Sequence, residues 1–353
     1  MPASLTIIRA GIVLAGARLD PHADAAVTID RGRIIAVDSA PTPTEETVSL
    51  PEATLMPGFI DAHVHIGLAD PLQILRGGVT TARDLAWPPG KIWPLVARAA
   101  DPAFKGPRLL AAGQMLTVAG GYPLLAPWAP VGTGRAVDGR DDAARAVAEQ
   151  AAAGASVIKV ALNTAAGPTL GADDLAAVVR AAHGRGLPVS GHVTGLGELT
   201  KALDAGLDEL AHMLMSNERI PTAVIARMVD HGMVVVPTLS CRFGGDQDTA
   251  IENLHRFVDK GGRVVYGTDL GNEGPAPGID RREVEAMVGA EMSGRQIIAS
   301  ATIDSARWLK LHDTGVIAPG ANADLVAVAG DPLATPAALT DVVGVWRGGR
   351  RIV

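Results

Sequence analysis

Two histidines stand one residue apart at the end of an apolar run in GFIDAHVHIG, residues 58–67. They are His63 and His65, in a chain that has only nine histidines. In a β-strand, residues i and i+2 point to the same side, so both imidazoles are predicted to project together. Imidazole nitrogen is a common ligand of zinc, and two imidazoles make half of a metal site. The alternative is an incidental pair on a surface strand, and the spacing alone leaves both interpretations open.

A lysine, Lys159, interrupts the apolar run SVIKVAL, residues 156–162. An ammonium group buried there without a partner would cost several kcal/mol or would lose its proton. One interpretation is a salt bridge to an acidic neighbour. The other is a neutral amine that reacts with carbon dioxide, because the resulting carbamate is an anion with two oxygens that can bridge two metal ions.

Three more ligand-type residues, His192, His212 and Asp269, are predicted near the ends of later apolar runs. Together with the first histidine pair they would all lie at the C-terminal ends of their strands, which makes chance placement a poor explanation. Glu209 precedes His212 by three residues and is predicted to face the opposite side of its strand, as an outward packing partner.

The middle of the chain alternates short apolar runs with helix-like stretches. The runs are TLMPGFIDAHVH (54–65), GVTTARDLA (78–86), RLLAAGQML (108–116), SVIKVAL (156–162), LPVSGHV (187–193), LDELAHML (207–214), MVVVPTL (233–239) and RVVYGTDL (263–270). Pieces such as DDAARAVAEQAAAG lie between them and end in glycine, as helices often do. This alternation predicts a parallel sheet, and eight units over about 250 residues indicate a TIM (β/α)8 barrel. Active sites of that fold lie at the C-terminal ends of the strands.

Both ends of the chain have a different pattern, with short alternating runs such as LTIIRAGIVLA and DVVGVWRGGRRIV. They predict one small β-sandwich domain assembled from both termini. The predicted division is 1–53 for the first part of this β-domain, 54–312 for the barrel and 313–353 for the second part.

Charge and composition argue against several kinds of partner and location. The net charge of −7, without a basic block, argues against a nucleic-acid or anionic-membrane partner. The chain has no run of about 18 apolar residues, so no transmembrane helix is expected. Its single cysteine, Cys241, excludes an intrachain disulfide and suits the cytoplasm. Symmetric self-association into a homo-oligomer is common enough to expect.

Taken together, these runs resemble the amidohydrolase superfamily of metal-dependent hydrolases. LMPGFIDAHVHIG is similar to its first-strand motif, and SVIKVAL, LPVSGHVTG, DELAHML, VVVPTL and VVYGTDLG resemble its later strand ends in the expected order. ASATIDSARWLKLHDTGVIAPGANADLVAV resembles the segment that returns the chain to the β-domain. Within the superfamily, AAHGRGLPVSGH and ELAHM are most similar to the prolidase-like and imidazolonepropionase-like branch.

The resemblance implies a binuclear metal centre. The implied ligands are His63, His65 and Asp269 for the more buried metal, and His192 and His212 for the second. Lys159, carboxylated by carbon dioxide, is implied to bridge the pair. Zinc is the expected metal because imidazole and carboxylate ligands suit it, although manganese or cobalt could substitute.

The activity implied by the resemblance is hydrolysis of an amide bond in an N-acyl amino acid, dipeptide, lactam or related compound. A hydroxide shared by the two metals would attack the carbonyl. Asp269 would be catalytic, taking the proton and passing it to the leaving nitrogen. The alternatives are a lactonase or phosphotriesterase on the same centre, a one-metal deaminase and a non-catalytic scaffold. Lys159 favours the two-metal members, because the one-metal deaminases lack that lysine.

Loops after the strands supply the candidates for substrate binding. These are Trp87, Tyr122, Trp128, Asn163, Arg242 and Phe243. The aromatic residues predict an apolar wall for an aromatic or bulky acyl group, or else they pack the loops on the barrel. Arg242 could hold a substrate carboxylate or be a surface arginine. The stretch ALNTAAGPTLG contains no Tyr or Arg where family dipeptidases bind a carboxylate. This departure weakens a simple prolidase interpretation and leaves room for a neutral amide, a lactam, a carbamate or an ester.

Overall fold

A computed structural model of the protein describes residues 5–38, 47–214, 216–241 and 247–353. Its strands, numbered along the chain, are β1 (Thr6–Ala15), β2 (Asp20–Asp30), β3 (Arg33–Asp38), β4 (Thr47–Pro57), β5 (Phe59–Val64), β6 (Val79–Asp84), β7 (Arg108–Ala111), β8 (Met115–Thr117), β9 (Gly134–Ala136), β10 (Ile158–Leu162), β11 (Val189–Val193), β12 (Glu209–Leu210), β13 (Val234–Val235), β14 (Arg263–Val264), β15 (Leu325–Ala329), β16 (Val342–Arg347) and β17 (Arg350–Arg351). Its helices are α1 (Pro71–Arg76), α2 (Pro89–Ala99), α3 (Gly139–Ala153), α4 (Ala172–His183), α5 (Leu196–Ala205), α6 (Thr222–Asp230), α7 (Gln247–Asp259), α8 (Arg281–Gly289), α9 (Gly294–Ser300) and α10 (Ile303–Trp308). Among the helices within these ranges, none combines the length and the apolar character that a membrane crossing needs.

Both ends of the chain contribute to one seven-stranded sheet, in the order β17-β16-β15-β4-β1-β2-β3. β1 runs antiparallel to β2 and parallel to β4, and β15 runs antiparallel to β4. Apolar side chains from both termini, including Ile8, Leu325 and Trp346, form a core of their own under this sheet. The predicted β-domain from both termini is therefore confirmed, and it is formed by one continuous sheet.

Parallel strands in the middle of the chain form the barrel. β5, β6 and β7 lie in one sheet, and β8 and β10 to β14 lie in another, with β9 at its edge. The hydrogen bond from Ser156 N to Ala111 O joins the two sheets on one side, and that from Ala62 N to Tyr266 O joins them on the other. The ladder therefore closes, and the predicted TIM barrel is confirmed. The predicted third strand, 108–116, is present as β7 and β8.

The predicted first barrel strand, 54–65, is divided between the two sheets. Its first four residues belong to β4 and pair with β15, and the chain crosses to the barrel at Gly58. Gly58 N donates to Asp324 O at 2.8 Å, and a Cβ atom on Gly58 would lie 2.3 Å from Thr80 Oγ1. The crossing therefore requires glycine. The predicted domain boundary, between residues 53 and 54, falls inside β4. The division of the chain into domains stays a prediction.

The last three barrel strands are much shorter than the apolar runs that predicted them. β12, β13 and β14 are regular over two residues each. Thr238 and Asp269 have φ angles of 49° and 59°, in the left-handed region that a strand does not contain. The chain therefore leaves the ladder early, and His212, Thr238 and Asp269 lie on irregular backbone at the barrel mouth.

A buried ion pair spans the barrel interior between Arg83 of β6 and Glu209 of β12. An Arg83 guanidinium nitrogen lies 2.7 Å and 2.8 Å from the two Glu209 oxygens, and Trp308 Nε1 donates to the same carboxylate. Because β6 and β12 are not neighbours in either sheet, this contact must cross the interior. The prediction that Glu209 faces outward is wrong, since its strand ends at Leu210 and the alternation does not continue to His212.

We expect Arg83→Met to destabilise the fold by about 3–5 kcal/mol, because it leaves the Glu209 carboxylate buried without its cation. Burial raises the pKa of Glu209, but the charge and hydrogen bonds of Arg83 hold it below its usual value. Denaturant unfolding of the metal-free protein measures the loss, and the double variant Arg83→Met, Glu209→Leu is the matched control. The ion-pair argument fails if the double variant is as unstable as the single one.

Candidate metal centre

The predicted ligands from β5 and from the segment after β14 meet at one end of the barrel. Asp269 Oδ1 lies 3.1 Å from His63 Nε2 and 3.1 Å from His65 Nε2, without a hydrogen bond to either. All three side chains are buried. Backbone hydrogen bonds fix the arrangement, from Asp269 N to His63 O at 2.8 Å and from His65 N to Leu270 O at 2.7 Å. The three ligand atoms lie within 4.8 Å of one another, which is close enough to hold a metal ion.

A second pair of imidazoles lies beside this group. His192 Nδ1 is 3.0 Å from His212 Nε2, and the two rings meet edge-on. The centroid of the His212 ring lies 4.7 Å from that of His63, so the two groups are contiguous. β11 carries His192 in register with Ala161 of β10, and His212 follows β12. Neighbouring parallel strands thus deliver the second pair to the same end of the barrel as the first.

Each of the four imidazoles has one ring nitrogen in contact with a polar atom outside the cluster. These contacts are His63 Nδ1 with Ala211 O (2.9 Å), His65 Nδ1 with Ala86 O (3.3 Å), His212 Nδ1 with Thr238 Oγ1 (2.8 Å) and His192 Nε2 with Asn163 Nδ2 (3.2 Å). The remaining nitrogens, Nε2 of three rings and Nδ1 of His192, face the centre. Such outer contacts orient histidine ligands in metal sites.

Lys159 of β10 is fully buried, and its amine has no hydrogen-bond partner among the described residues. Burial lowers the pKa of Lys159 to about 7, although the charges of Glu209 and Asp269 raise it. The nearby Glu209 carboxylate is already engaged by Arg83 and Trp308. The salt bridge considered from the sequence is therefore not formed within the described residues, and the amine lies free beside the imidazole cluster.

Burial also controls the charge of the histidines. It lowers the pKa of His63 to about 4 and that of His192 to about 3, and it holds the pKa of His212 well below its usual value. Burial acts in the same direction on His65, but the adjacent Asp269 carboxylate raises its pKa above the usual value. Neutral imidazoles are the form in which histidine binds metals.

The donor set fits a metal centre. Lys159 Nζ and Asp269 Oδ1 are buried polar atoms that have no hydrogen-bond partner within the described part of the chain, which is costly unless a further group satisfies them. Imidazole nitrogens and a carboxylate oxygen surround them, and these are ligands that zinc and related divalent ions accept.

Comparison with known proteins agrees with this geometry. Residues 54–352 match the amidohydrolase family. The chain belongs to the amidohydrolase family. It is 29% identical to an uncharacterized protein of Mycobacterium tuberculosis, over 81% of each chain, and 25% identical to ochratoxinase of Aspergillus niger, over 99% of this chain and 86% of the other. The crystal structure of a prolidase complexed with N-methylphosphonate-L-proline is 25% identical, covers 99% of each chain and superposes with a TM-score of 0.83. The protein is thus a hydrolase that acts on carbon–nitrogen bonds.

Two predicted substrate contacts of this amidohydrolase lie against the histidine cluster. The Tyr122 ring stacks on His192 with centroids 4.7 Å apart, and the Trp128 ring lies 4.7 Å from His65. Trp128 Nε1 donates to Tyr122 Oη at 3.0 Å, which joins the two rings. This pair, termed the aromatic wall below, borders the candidate metal centre on the side of the loop after β8.

The other predicted substrate contacts differ in where they lie. Trp87 is buried and packs on Gly67, where a Cβ atom would lie 2.1 Å from the Trp87 ring. Trp87 is therefore a packing residue behind the first histidine pair. Asn163 contacts His192. Arg242 and Phe243 lie outside the described residues.

Two residues that support the cluster were not singled out from the sequence. Asp61 accepts hydrogen bonds from His63 N at 3.0 Å and from Thr268 Oγ1 at 2.6 Å, which ties β5 to the segment that carries Asp269. Thr238 contacts His212. Asp61 has a sequence signal, because it continues the period of two in DAHVH, whereas Thr238 is one polar residue in an apolar run.

Proposed function

We propose that the protein is a two-metal hydrolase that cleaves an amide bond in a small molecule. The observation that carries the proposal is the buried Lys159 amine, which has no hydrogen-bond partner among the described residues and lies beside four imidazoles and the Asp269 carboxylate. His63 and His65 would hold one ion together with Asp269. The second histidine pair, His192 and His212, would hold the other, and Lys159, as its carbamate, would bridge them. Zinc is the metal that best suits these ligands.

Two divalent ions held there would acidify water to a pKa of about 7 and polarise the scissile carbonyl. The protein's own contribution is proton transfer and orientation. Asp269 would accept the proton that the attacking water gives up and would deliver it to the leaving nitrogen as the C–N bond breaks. An amide needs that delivery, because an amine anion is a very poor leaving group.

The aromatic wall supports a substrate with an aromatic or bulky acyl group. Tyr122 and Trp128 border the site on one side and present ring surface beside His192 and His65. Similarity to an ochratoxinase and to a prolidase is compatible with an N-acyl amino acid or a dipeptide. We place these two classes ahead of lactams and other related amides.

Metal analysis combined with a substrate panel tests the proposal. The panel contains N-acyl amino acids, dipeptides, lactams, lactones and phosphotriesters, assayed with the zinc-loaded protein. We expect two metal ions per chain and turnover of at least one amide class. Preference for a lactone or a phosphotriester would favour the alternative hydrolase, whereas one metal ion with release of ammonia would favour a deaminase. Two bound metal ions without turnover of any class would count against catalysis.

Removal of one ring tests the role of the aromatic wall. We expect Trp128→Ala to lower kcat/KM for substrates with an aromatic acyl group by about 5-fold, because the lost ring contact is worth about 1 kcal/mol. Amides with an acetyl group should change much less. Tyr122→Phe is the matched control, since it keeps its ring and loses the hydrogen bond to Trp128. Equal losses of kcat/KM for acetyl and aromatic substrates would show that the aromatic wall does not recognise the acyl group.

A further inference from the structure

The side chain of Asn163, at the end of β10, is fixed by contacts to both of its polar atoms. Its Oδ1 accepts a hydrogen bond from Ala166 N at 3.2 Å, which caps the short helical turn Thr164–Ala166, and a longer one from Thr194 Oγ1 at 3.5 Å. Its Nδ2 lies 3.2 Å from His192 Nε2. The acceptor atom of the amide therefore faces the loop, and the donor atom faces the imidazole.

This orientation determines where the neighbouring protons lie. An amide NH2 group only donates, so His192 Nε2 must accept, and the single proton of this neutral ring is on Nδ1. That proton points at His212 Nε2, 3.0 Å away. His212 in turn carries its proton on Nδ1 and donates to Thr238 Oγ1 at 2.8 Å. All of these donors and acceptors are matched when no metal is bound.

A metal ion on the second pair breaks this match. It would take the lone pair of His192 Nδ1, so the ring proton would move to Nε2 and face the Asn163 NH2 group, donor against donor. Turning the amide by half a revolution brings Oδ1 to the ring. The same turn points the NH2 group at Ala166 N–H and removes the cap of Thr164–Ala166.

We propose that Asn163 is a positioning residue that holds His192 in the proton state of the empty second metal site. Filling that site requires the Asn163 amide to turn and release the loop after β10. The inference rests on the two-metal function proposed above and adds a coupling between the second metal and this loop. It predicts that the second metal binds more weakly than it would beside a side chain with two acceptors.

Asn163→Asp provides that side chain without a change of shape. One oxygen can accept from Ala166 N while the other accepts from the His192 Nε2 proton of the metal-bound state. Contacts of this kind change metal affinity by about 10- to 100-fold. We expect Zn²⁺ to bind the second site of Asn163→Asp more tightly by such a factor, and the first site, at His63, His65 and Asp269, to change little.

Thr164→Asp is the matched control for the added negative charge. Thr164 is the next residue and is exposed, so its carboxylate should alter the affinity by less than about threefold, because exposed charges are screened. Full-length metal-free protein is titrated with Zn²⁺ against a chromophoric chelator. Tighter second-site binding in Asn163→Asp alone supports the proposal. Equal second-site affinity in both variants and the wild type overturns it while leaving the two-metal function intact, whereas a single bound ion in all three overturns both.

The wild-type protein gives a second test that needs no variant and no metal. Nitrogen NMR of isotope-labelled histidine in the metal-free protein reports which ring nitrogen of His192 is protonated, with His192→Gln used for assignment. We expect the proton on Nδ1. A proton on Nε2 in the metal-free protein would overturn the role of Asn163, whatever the metal titration shows.

Discussion

Asp269→Asn is expected to lose nearly all amide hydrolysis, by about 10²- to 10⁴-fold in kcat, while it retains some bound metal. The amide oxygen can still occupy the position of Oδ1, 3.1 Å from His63 Nε2 and His65 Nε2 in the wild type. What the variant lacks is a group that accepts a proton. Those imidazoles hold the pKa of Asp269 well below its usual value against the effect of burial, so the carboxylate is ionised at neutral pH.

Asp84→Asn is the matched control for this prediction. Asp84 is also a buried carboxylate beside the first histidine pair, but its oxygens accept from the backbone nitrogens of Ile66 and Ala86. Its replacement should reduce stability far more than kcat. Turnover and metal content are measured together in both variants at saturating Zn²⁺. If Asp269→Asn turns over within about 10-fold of the wild type, a range that a general base normally exceeds, Asp269 is not the proton carrier.

The sequence predicts the barrel and the positions of its candidate ligands because both depend on local periodicity. A period of two in DAHVH is enough to place His63 and His65 on one side of β5. Strand ends of a parallel barrel lie at one rim, which brings His192, His212 and Asp269 into the same region. These inferences need no knowledge of which strands are neighbours.

Contacts between distant strands have no comparable signal. Arg83 and Glu209 are 126 residues apart and meet only because the barrel closes. The Ala86 and Ala211 carbonyls that contact the first histidine pair are backbone atoms, so no residue type reveals them. The outward orientation predicted for Glu209 failed for this reason, since strand alternation is local and β12 ends at Leu210.

Loop aromatics illustrate the same limit for substrate binding. Trp87 and Trp128 both follow barrel strands and look alike in the sequence. Trp87 is buried against Gly67, whereas Trp128 borders the candidate metal centre beside His65. The two residues differ because their loops follow different paths. Those paths depend on close contacts, such as that between Gly67 and the Trp87 ring, and not on the apolar pattern of the sequence.

Lys159→Met is expected to bind one metal ion per chain in place of two and to lose at least about 100-fold in kcat, because one of the two metal contributions to catalysis disappears. Methionine fills a similar volume but cannot form a carbamate. The second site would then keep only His192 and His212, fewer than the three or four protein ligands that zinc sites usually have. Elemental analysis and kinetics measure both effects, and Lys91→Met, at an exposed position, is the control.

Folding stability separates this role of Lys159 from a merely structural one. In the metal-free protein its amine is buried without a hydrogen-bond partner among the described residues, so Lys159→Met should unfold at equal or higher denaturant concentration. The gain could reach about 1–3 kcal/mol, the cost of burying an unsatisfied polar group. A stable variant that has lost one metal ion would mean that Lys159 serves as a metal ligand, in its carbamate form, and does not serve to stabilise the fold. Two metal ions per chain in Lys159→Met, or a loss of stability as large as that of Arg83→Met, would show that it does not bridge the metals.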